Sequence, residues 1–254
     1  MEIEKIVEQV TQEVLKQLGG GNATTVSAGA SSAVQKYPGA DVAGVIEHSL
    51  TNPDMTEAVV IKGCKDARDY RFANICVFPY LVPLAAELLQ GSGIAVCTPV
   101  AFPHGGWMAS TKLHEAKEAV KAGATELDVA INISAIKSGK YDEALADLCA
   151  IVDAVQGKAK VKAIYEQGSY TDEEKVKVLN LACRSGADFV KIQNFLSGKK
   201  AVPEDVAFVR SIVGKAMGIK IDGGVGDADT VRKLLAAGAT RVGCSKSVKI
   251  VRGE

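Results

Sequence analysis

Residues 184–193 read Arg-Ser-Gly-Ala-Asp-Phe-Val-Lys-Ile-Gln. A helical pattern stops at Gly186, a residue free to take the left-handed conformation that ends helices. The chain then continues as an apolar run interrupted by one charge, Lys191. The same helix-end phrase returns as Lys121-Ala-Gly-Ala-Thr-Glu126 and as Ala236-Ala-Gly-Ala-Thr-Arg241. Working outward from these boundaries predicts strands over Val42–Glu47, Asn74–Phe78, Ile94–Val100, Glu126–Asn132, Lys160–Glu166, Phe189–Gln193, Gly218–Gly223 and Arg241–Ser245. Each is followed by a segment of helical period. Several are near-continuous apolar runs, as parallel strands covered on both faces should be. Eight such units point to an α/β fold, a closed (β/α)8 TIM barrel rather than an open doubly wound sheet. No Gly-x-Gly-x-x-Gly follows the first strand to mark a dinucleotide site. The 254 residues suit one such domain, which takes about 250.

Ahead of the barrel, Ile3, Ile6, Val7, Val10, Val14, Leu15 and Leu18 recur at three- and four-residue steps. This predicts an amphipathic helix over residues 1–18. Three glycines from Gly19 stop it, and residues 19–36 read as a flexible linker rich in Gly, Ala, Ser and Thr. Residues 37–254 are then the barrel domain. A helix this short is marginal alone in water. Its apolar stripe would pack on its own barrel or a sister subunit, or would dock on a different protein. The loose linker favours docking.

Lys plus Arg and Asp plus Glu both number 30, giving no net charge. That balance argues against nucleic acid, whose binders carry a basic surplus. Six cysteines are scattered without a CxxC pair and three histidines lack zinc spacing, so reduced thiols are expected and no metal or cofactor. No run reaches the roughly 18 apolar residues of a membrane span, and Met1-Glu-Ile-Glu-Lys5 is no secretory signal. A cytoplasmic protein is expected.

In a TIM barrel the active site lies at the C-terminal ends of the strands. Polar residues on otherwise apolar elements there are Asp128, Asn132, Glu166, Lys191, Lys220 and Asp222. Two lysines on adjacent strands, both flanked by apolar residues, are the informative pair. Burial and a neighbouring ammonium both lower a lysine's pKa, giving the neutral amine that attacks a carbonyl. The alternative is that both form structural ion pairs with Asp128 and Glu166.

Almost the whole domain also resembles the deoxyribose-phosphate aldolase family. The resemblance rests on Val82-Pro-Leu-Ala-Ala-Glu-Leu-Leu, Glu126-Leu-Asp-Val-Ala-Ile-Asn132, Ala135-Ile-Lys-Ser-Gly-Lys140 and Glu166-Gln-Gly with Thr171-Asp-Glu-Glu174. It rests further on Gly186-Ala-Asp-Phe-Val-Lys191 and Ile219-Lys-Ile-Asp-Gly-Gly224. The resemblance implies a class I aldolase that cleaves 2-deoxy-D-ribose 5-phosphate to acetaldehyde and glyceraldehyde 3-phosphate. It implies that Lys191 forms the Schiff base, that Lys220 tunes its pKa, and that Asp128 relays protons. Glu166 would support Lys220 or Asp128. Gly223, Gly224, Gly243, Ser245, Lys246 and Asp222 are the substrate-binding candidates. The partners expected are a small aldehyde or sugar phosphate and further copies of the chain. The first 18 residues resemble the encapsulation peptides of bacterial microcompartments, which implies a shell protein as partner.

The departures fall on substrate recognition. Where the family usually continues Thr-Ser-Thr-Gly, this chain has Ile192-Gln-Asn-Phe195, and Gly226 stands where an arginine is usual. Asp222 replaces a small neutral residue, and an inward carboxylate would repel a phosphate dianion. Lys246, at a serine position, would return a positive charge. Two other readings therefore remain: a Schiff-base aldolase for a different or non-phosphorylated hydroxyaldehyde, and a non-catalytic barrel scaffold.

Overall fold

The structure, a computed structural model, describes residues 37–254. The helix expected over 1–18 and the linker over 19–36 lie outside the described residues. Eight parallel strands close into a barrel in sequence order, with β1 hydrogen-bonded to β8. The strands are β1 (Ile46–Leu50), β2 (Asn74–Val77), β3 (Ala95–Val100), β4 (Glu126–Ala130), β5 (Lys160–Glu166), β6 (Phe189–Gln193), β7 (Gly218–Asp222) and β8 (Arg241–Cys244). The connecting helices are α1 (Glu57–Tyr70), α2 (Val82–Leu89), α3 (Ala109–Lys121), α4 (Ile133–Lys137), α5 (Tyr141–Val155), α6 (Asp172–Arg184), α7 (Pro203–Val213) and α8 (Ala228–Ala236). A last short helix, α9 (Ser247–Arg252), follows β8. No helix among the described residues is long and apolar enough to cross a membrane.

The first strand departs from expectation. The apolar run predicted as Val42–Glu47 begins instead as a 3-10 turn, Ala40–Val45, and β1 starts only at Ile46. Val42 and Ala43 are buried in that turn, which packs against α9, α8 and α1. Gly39 N–H donates to Val251 O at 3.0 Å, and Arg232 of α8 grips Asp41 and the Pro38 carbonyl. Hydrophobicity reports burial, and a short buried run has no period that separates turn from strand.

The hydrophobic core lies between the sheet and the helix ring. Leu127 and Val129 of β4, Val190 and Ile192 of β6, and Ile219 and Ile221 of β7 are fully buried there. Full burial of such a side chain stabilises by about 1.5–3 kcal/mol. Strand alternation sends the intervening residues to the barrel interior. The predicted helix ends hold as well: Gly123, Gly186 and Gly238 all have positive φ. At Gly123 a Cβ would come within 2.5 Å of the Ala86 Cβ, so α2 packs where only glycine fits.

One charged pair is buried inside this outer core. Lys112 of α3 meets Asp147 of α5 at 2.5 Å and donates to Ala130 O at 2.8 Å, tying two helices to the C-terminal end of β4. Removing one partner strands the other charge, which typically costs about 3–5 kcal/mol, whereas an apolar pair of similar volume costs little. Urea unfolding should therefore show Lys112→Ala destabilised by about that amount, and the double variant Lys112→Met, Asp147→Leu destabilised far less.

Candidate active site

The alternation that turns Leu127, Val129, Ile219 and Ile221 outward turns Glu126, Asp128, Lys220 and Asp222 into the barrel. On β5 and β6 the same rule faces Lys162 and Lys191 inward, and β1 contributes Glu47. Register places Lys191 beside Lys220 and Asp128 beside Lys162. Three lysines and four carboxylates therefore share the interior, where many TIM barrels stack branched apolar residues.

Asp128 is the hub. Its Oδ2 lies 2.9 Å from Lys191 Nζ and 2.7 Å from Lys220 Nζ, while its Oδ1 lies 3.1 Å from Lys162 Nζ. Cys97 Sγ also donates to Oδ1 at 3.1 Å. Around this hub Lys220 meets Glu47 at 2.6 Å, and Lys162 meets Glu126 at 2.6 Å and Glu47 at 3.6 Å. Asn74 Nδ2 donates to Glu126 at 2.6 Å. Asp222, one pleat nearer the mouth than Lys220, places Oδ2 2.8 Å from Lys191 Nζ and 3.8 Å from Lys220 Nζ.

These distances set the protonation states. Burial raises the Asp128 carboxyl, but Lys162, Lys191 and Lys220 outweigh it and hold the group well below the usual carboxylate range. Burial lowers Lys220, yet Asp128, Asp222 and Glu47 hold it well above an ordinary lysine. Lys191 follows the same pattern. Burial, and to a lesser degree Lys220, pulls its ammonium toward neutrality, and Asp128 and Asp222 outweigh both and keep it charged. The expectation of a depressed Lys191 is thus not met in this arrangement, because two carboxylates reach Nζ for one neighbouring ammonium. The ion pairs of the structural alternative exist at Asp128. Stability alone does not call for them, since apolar replacements of buried ion pairs are often neutral or stabilising.

Other expected residues are distributed differently. Glu166 supports neither Lys220 nor Asp128. It accepts the backbone N–H groups of Phe195 and Leu196, both at 3.1 Å, and the Gln193 side chain at 3.4 Å. It therefore anchors the loop after β6. Asn132 is past the end of β4 and caps α4, accepting Ala135 N–H at 3.0 Å. Gly223 and Gly224 turn at the end of β7 with positive φ. Ser245 and Lys246 are exposed just beyond β8. Gly243 lies beside Asp222 in register, and a Cβ on it would fall 1.8 Å from Asp222 Oδ1.

Lys162, Glu47 and Cys97 were not among the sequence candidates. Lys162 passes the test applied to the other lysines, standing between Val161 and Ala163. Glu47 ends the strand expected over Val42–Glu47 and carries the same signal, a charge on an apolar run. Lys200 was missed too: a Cβ on Gly224 would lie 3.1 Å from its Cγ, so the lysine stem crosses that glycine. Above the mouth Phe195 meets Phe102 of the loop after β3, ring centroids 5.0 Å apart.

Two interior groups bring metal-ligating atoms within 4.8 Å of one another: Cys76, Cys97 and Asp128, and Glu47, Cys97 and Glu126. Lys162 Nζ contacts Cys97 Sγ at 3.3 Å and pairs with both Asp128 and Glu126. An ammonium thus supplies the positive charge that a cation would bring. Burial also pushes the Cys97 thiol well up, away from the thiolate a metal needs.

Comparison with known proteins gives the family. Residues 73–245 match the DeoC/LacD family of aldolases. A deoxyribose-phosphate aldolase of Geobacillus sp. (strain WCH70) is 44% identical over 214 residues, 84% of this chain and 96% of that protein. That of Bacillus subtilis (strain 168) is 43% identical over 213 residues, with the same shares covered. The tetrameric deoxyribose phosphate aldolase structure from Aeropyrum pernix superposes with a TM-score of 0.78 at 27% identity, covering 97% of each chain. The buried lysines and their shared aspartate thus sit in a chain that belongs to the DeoC/LacD family of aldolases.

Proposed function

We propose that the protein is a class I aldolase that cleaves 2-deoxy-D-ribose 5-phosphate to acetaldehyde and glyceraldehyde 3-phosphate through a Schiff base on Lys191. The observation that carries this reading is Lys191 itself, whose Nζ lies between Asp128 and Asp222 at 2.9 and 2.8 Å. Neutral Lys191 adds to the C1 aldehyde, and loss of water gives an iminium, the electron sink. Removal of the C3 hydroxyl proton lets the C2–C3 bond break. Glyceraldehyde 3-phosphate leaves and an enamine remains. Protonation at C2 and hydrolysis then release acetaldehyde and restore the amine. Asp128, through a water, relays protons. Lys220 balances the charge of Asp128 and opposes the ammonium form of Lys191.

The phosphate is proposed to sit near Gly223 and Gly224, within reach of Lys200 and Lys246. Asp222 favours a second reading, a non-phosphorylated hydroxyaldehyde, because its carboxylate repels a dianion. A cytoplasmic homo-oligomer is proposed, on the precedent of the relatives and of the Aeropyrum pernix enzyme, whose structure is tetrameric. Residues 1–18 are proposed to dock on a microcompartment shell protein, which would confine the aldehyde product.

Borohydride reduction in the presence of acetaldehyde, read by intact and peptide mass, should add one ethyl group at Lys191. Lys191→Ala should abolish the adduct, and an adduct on Lys220 instead would overturn the assignment. Lys191→Arg should fail equally, because a guanidinium stays protonated.

The ratio of kcat/KM for deoxyribose 5-phosphate over free deoxyribose decides the phosphate. It should exceed one by at least about tenfold and fall by about tenfold in the Lys200→Ala, Lys246→Ala double variant, since each tenfold corresponds to about 1.4 kcal/mol. A ratio near one in the unaltered protein assigns the second reading.

Deleting residues 1–20 should leave melting temperature and turnover nearly unchanged while abolishing recruitment to shells. Grafting those residues onto a fluorescent protein should transfer recruitment. Unfolding or dissociation of the truncated enzyme would instead make the segment structural.

A further inference from the structure

Asp128 and Asp222 both touch the Lys191 ammonium, but they are differently partnered. Asp128 is fully buried and divides its two oxygens among three ammonium groups and the Cys97 thiol. A carboxylate so heavily compensated is a weak base. Asp222 pairs through Oδ2 alone, and its Oδ1 is buried with no hydrogen-bond partner. A buried, unpaired carboxylate oxygen is costly unless something binds it during the working cycle.

The neighbouring strand is shaped to keep that oxygen where it is. Gly243 is the register partner of Asp222, and a Cβ there would stand 1.8 Å from Oδ1. Asp222 therefore occupies the volume that any side chain at 243 would claim. The carboxylate is held on the mouth side of Nζ, with about a fifth of the side chain exposed, which is where an entering carbonyl must approach.

We propose that Asp222 is a further catalytic residue: it accepts the Lys191 ammonium proton and returns it to the carbinolamine oxygen. The step rests on Lys191 being the nucleophile. The proton moves from Nζ to Oδ2 along the existing ion pair, leaving a neutral amine and a carboxylic acid. The amine lone pair forms the N–C bond to the aldehyde carbon, and one nitrogen proton shifts to the carbonyl oxygen, giving a carbinolamine. The Asp222 acid then protonates that hydroxyl, the C–O bond breaks, and water leaves. The product is the iminium beside a restored carboxylate, so protons and charge balance.

The other titratable groups acting on Lys191 or Asp222 are Asp128 on β4, Lys220 on β7, Cys76 on β2, Glu166 on β5 and Cys244 on β8. A structural role for Asp222 would only hold Lys191 charged, so losing the carboxylate would free the amine and leave Schiff-base formation as fast or faster. A catalytic role makes it slower, because the ammonium proton loses its acceptor and the carbinolamine its acid. The two are separated by following Schiff-base formation with acetaldehyde in single-turnover mixes near neutral pH, where Lys191 carries its proton at rest, quenched with borohydride. In Asp222→Asn and Asp222→Ser the rate should fall about ten- to a hundredfold, the lower part of the range for a positioned acid–base group, because Asp128 still reaches Nζ.

Gly243→Ala supplies a second, independent variant. Its Cβ displaces the carboxylate, so its rate should fall comparably. In Asp222→Ser, where that volume is vacant, adding Gly243→Ala should lower the rate no further. A rate unchanged or raised in Asp222→Asn and Asp222→Ser, or additive losses in the double variant, would overturn the proposal. Absence of any Lys191 adduct in the unaltered protein would instead overturn the nucleophile assignment.

Discussion

Three ammonium groups converge on the two oxygens of Asp128, and the rest of the barrel is arranged around that contact. A charge buried alone costs far more than a folded domain can bear. Each lysine in the interior therefore needs a carboxylate, and each carboxylate a lysine. Glu47 of β1 and Glu126 of β4 complete the set by meeting Lys220 and Lys162. Closure of the barrel is what brings these partners from β1, β4, β5 and β7 within ion-pair distance. Asp222 exceeds the balance. It is placed where the interior opens toward solvent, and there an extra negative charge is tolerable.

This arrangement separates holding a lysine from activating it. The network keeps Lys191 charged at rest, so its ammonium is buried without an unpaired charge. With Lys191 as the proposed nucleophile, activation is a local proton shift rather than a movement of the scaffold. Around that fixed centre the loops carry the variation. Glu166 pins the backbone of Phe195 and Leu196, which sets the Phe195–Phe102 contact over the mouth. One barrel can serve different substrates in this way, because strands set the chemistry and loops set the fit.

Much of this was legible before any coordinates. The helix-ending glycines and the apolar runs placed seven strands within two residues of their observed bounds. Lys191, Lys220 and Asp128 were found because a charge on an apolar strand has few explanations. The failures have physical reasons. A buried 3-10 turn and a buried strand carry the same apolar signal, so residues 42–45 were read as sheet. Asn132 and Glu166 lie at strand ends, where the same residue types serve as helix caps and loop anchors. Only packing tells those uses from catalysis. The Lys191 protonation state depended on how many carboxylates reach Nζ, and that number is a property of the closed barrel rather than of any one strand.

Apart from Asp222 near the mouth, the paired interior charges are also divided along the chain. Glu47, Glu126 and Asp128 all belong to the first four strands, and Lys162, Lys191 and Lys220 all belong to the last four. A half-barrel from the first part would hold three carboxylates against one another, and one from the second part would hold a surplus of ammonium groups. Neither half can close on a copy of itself without burying like charges, so each finds its balance only in the other, as two complementary poles of one sheet.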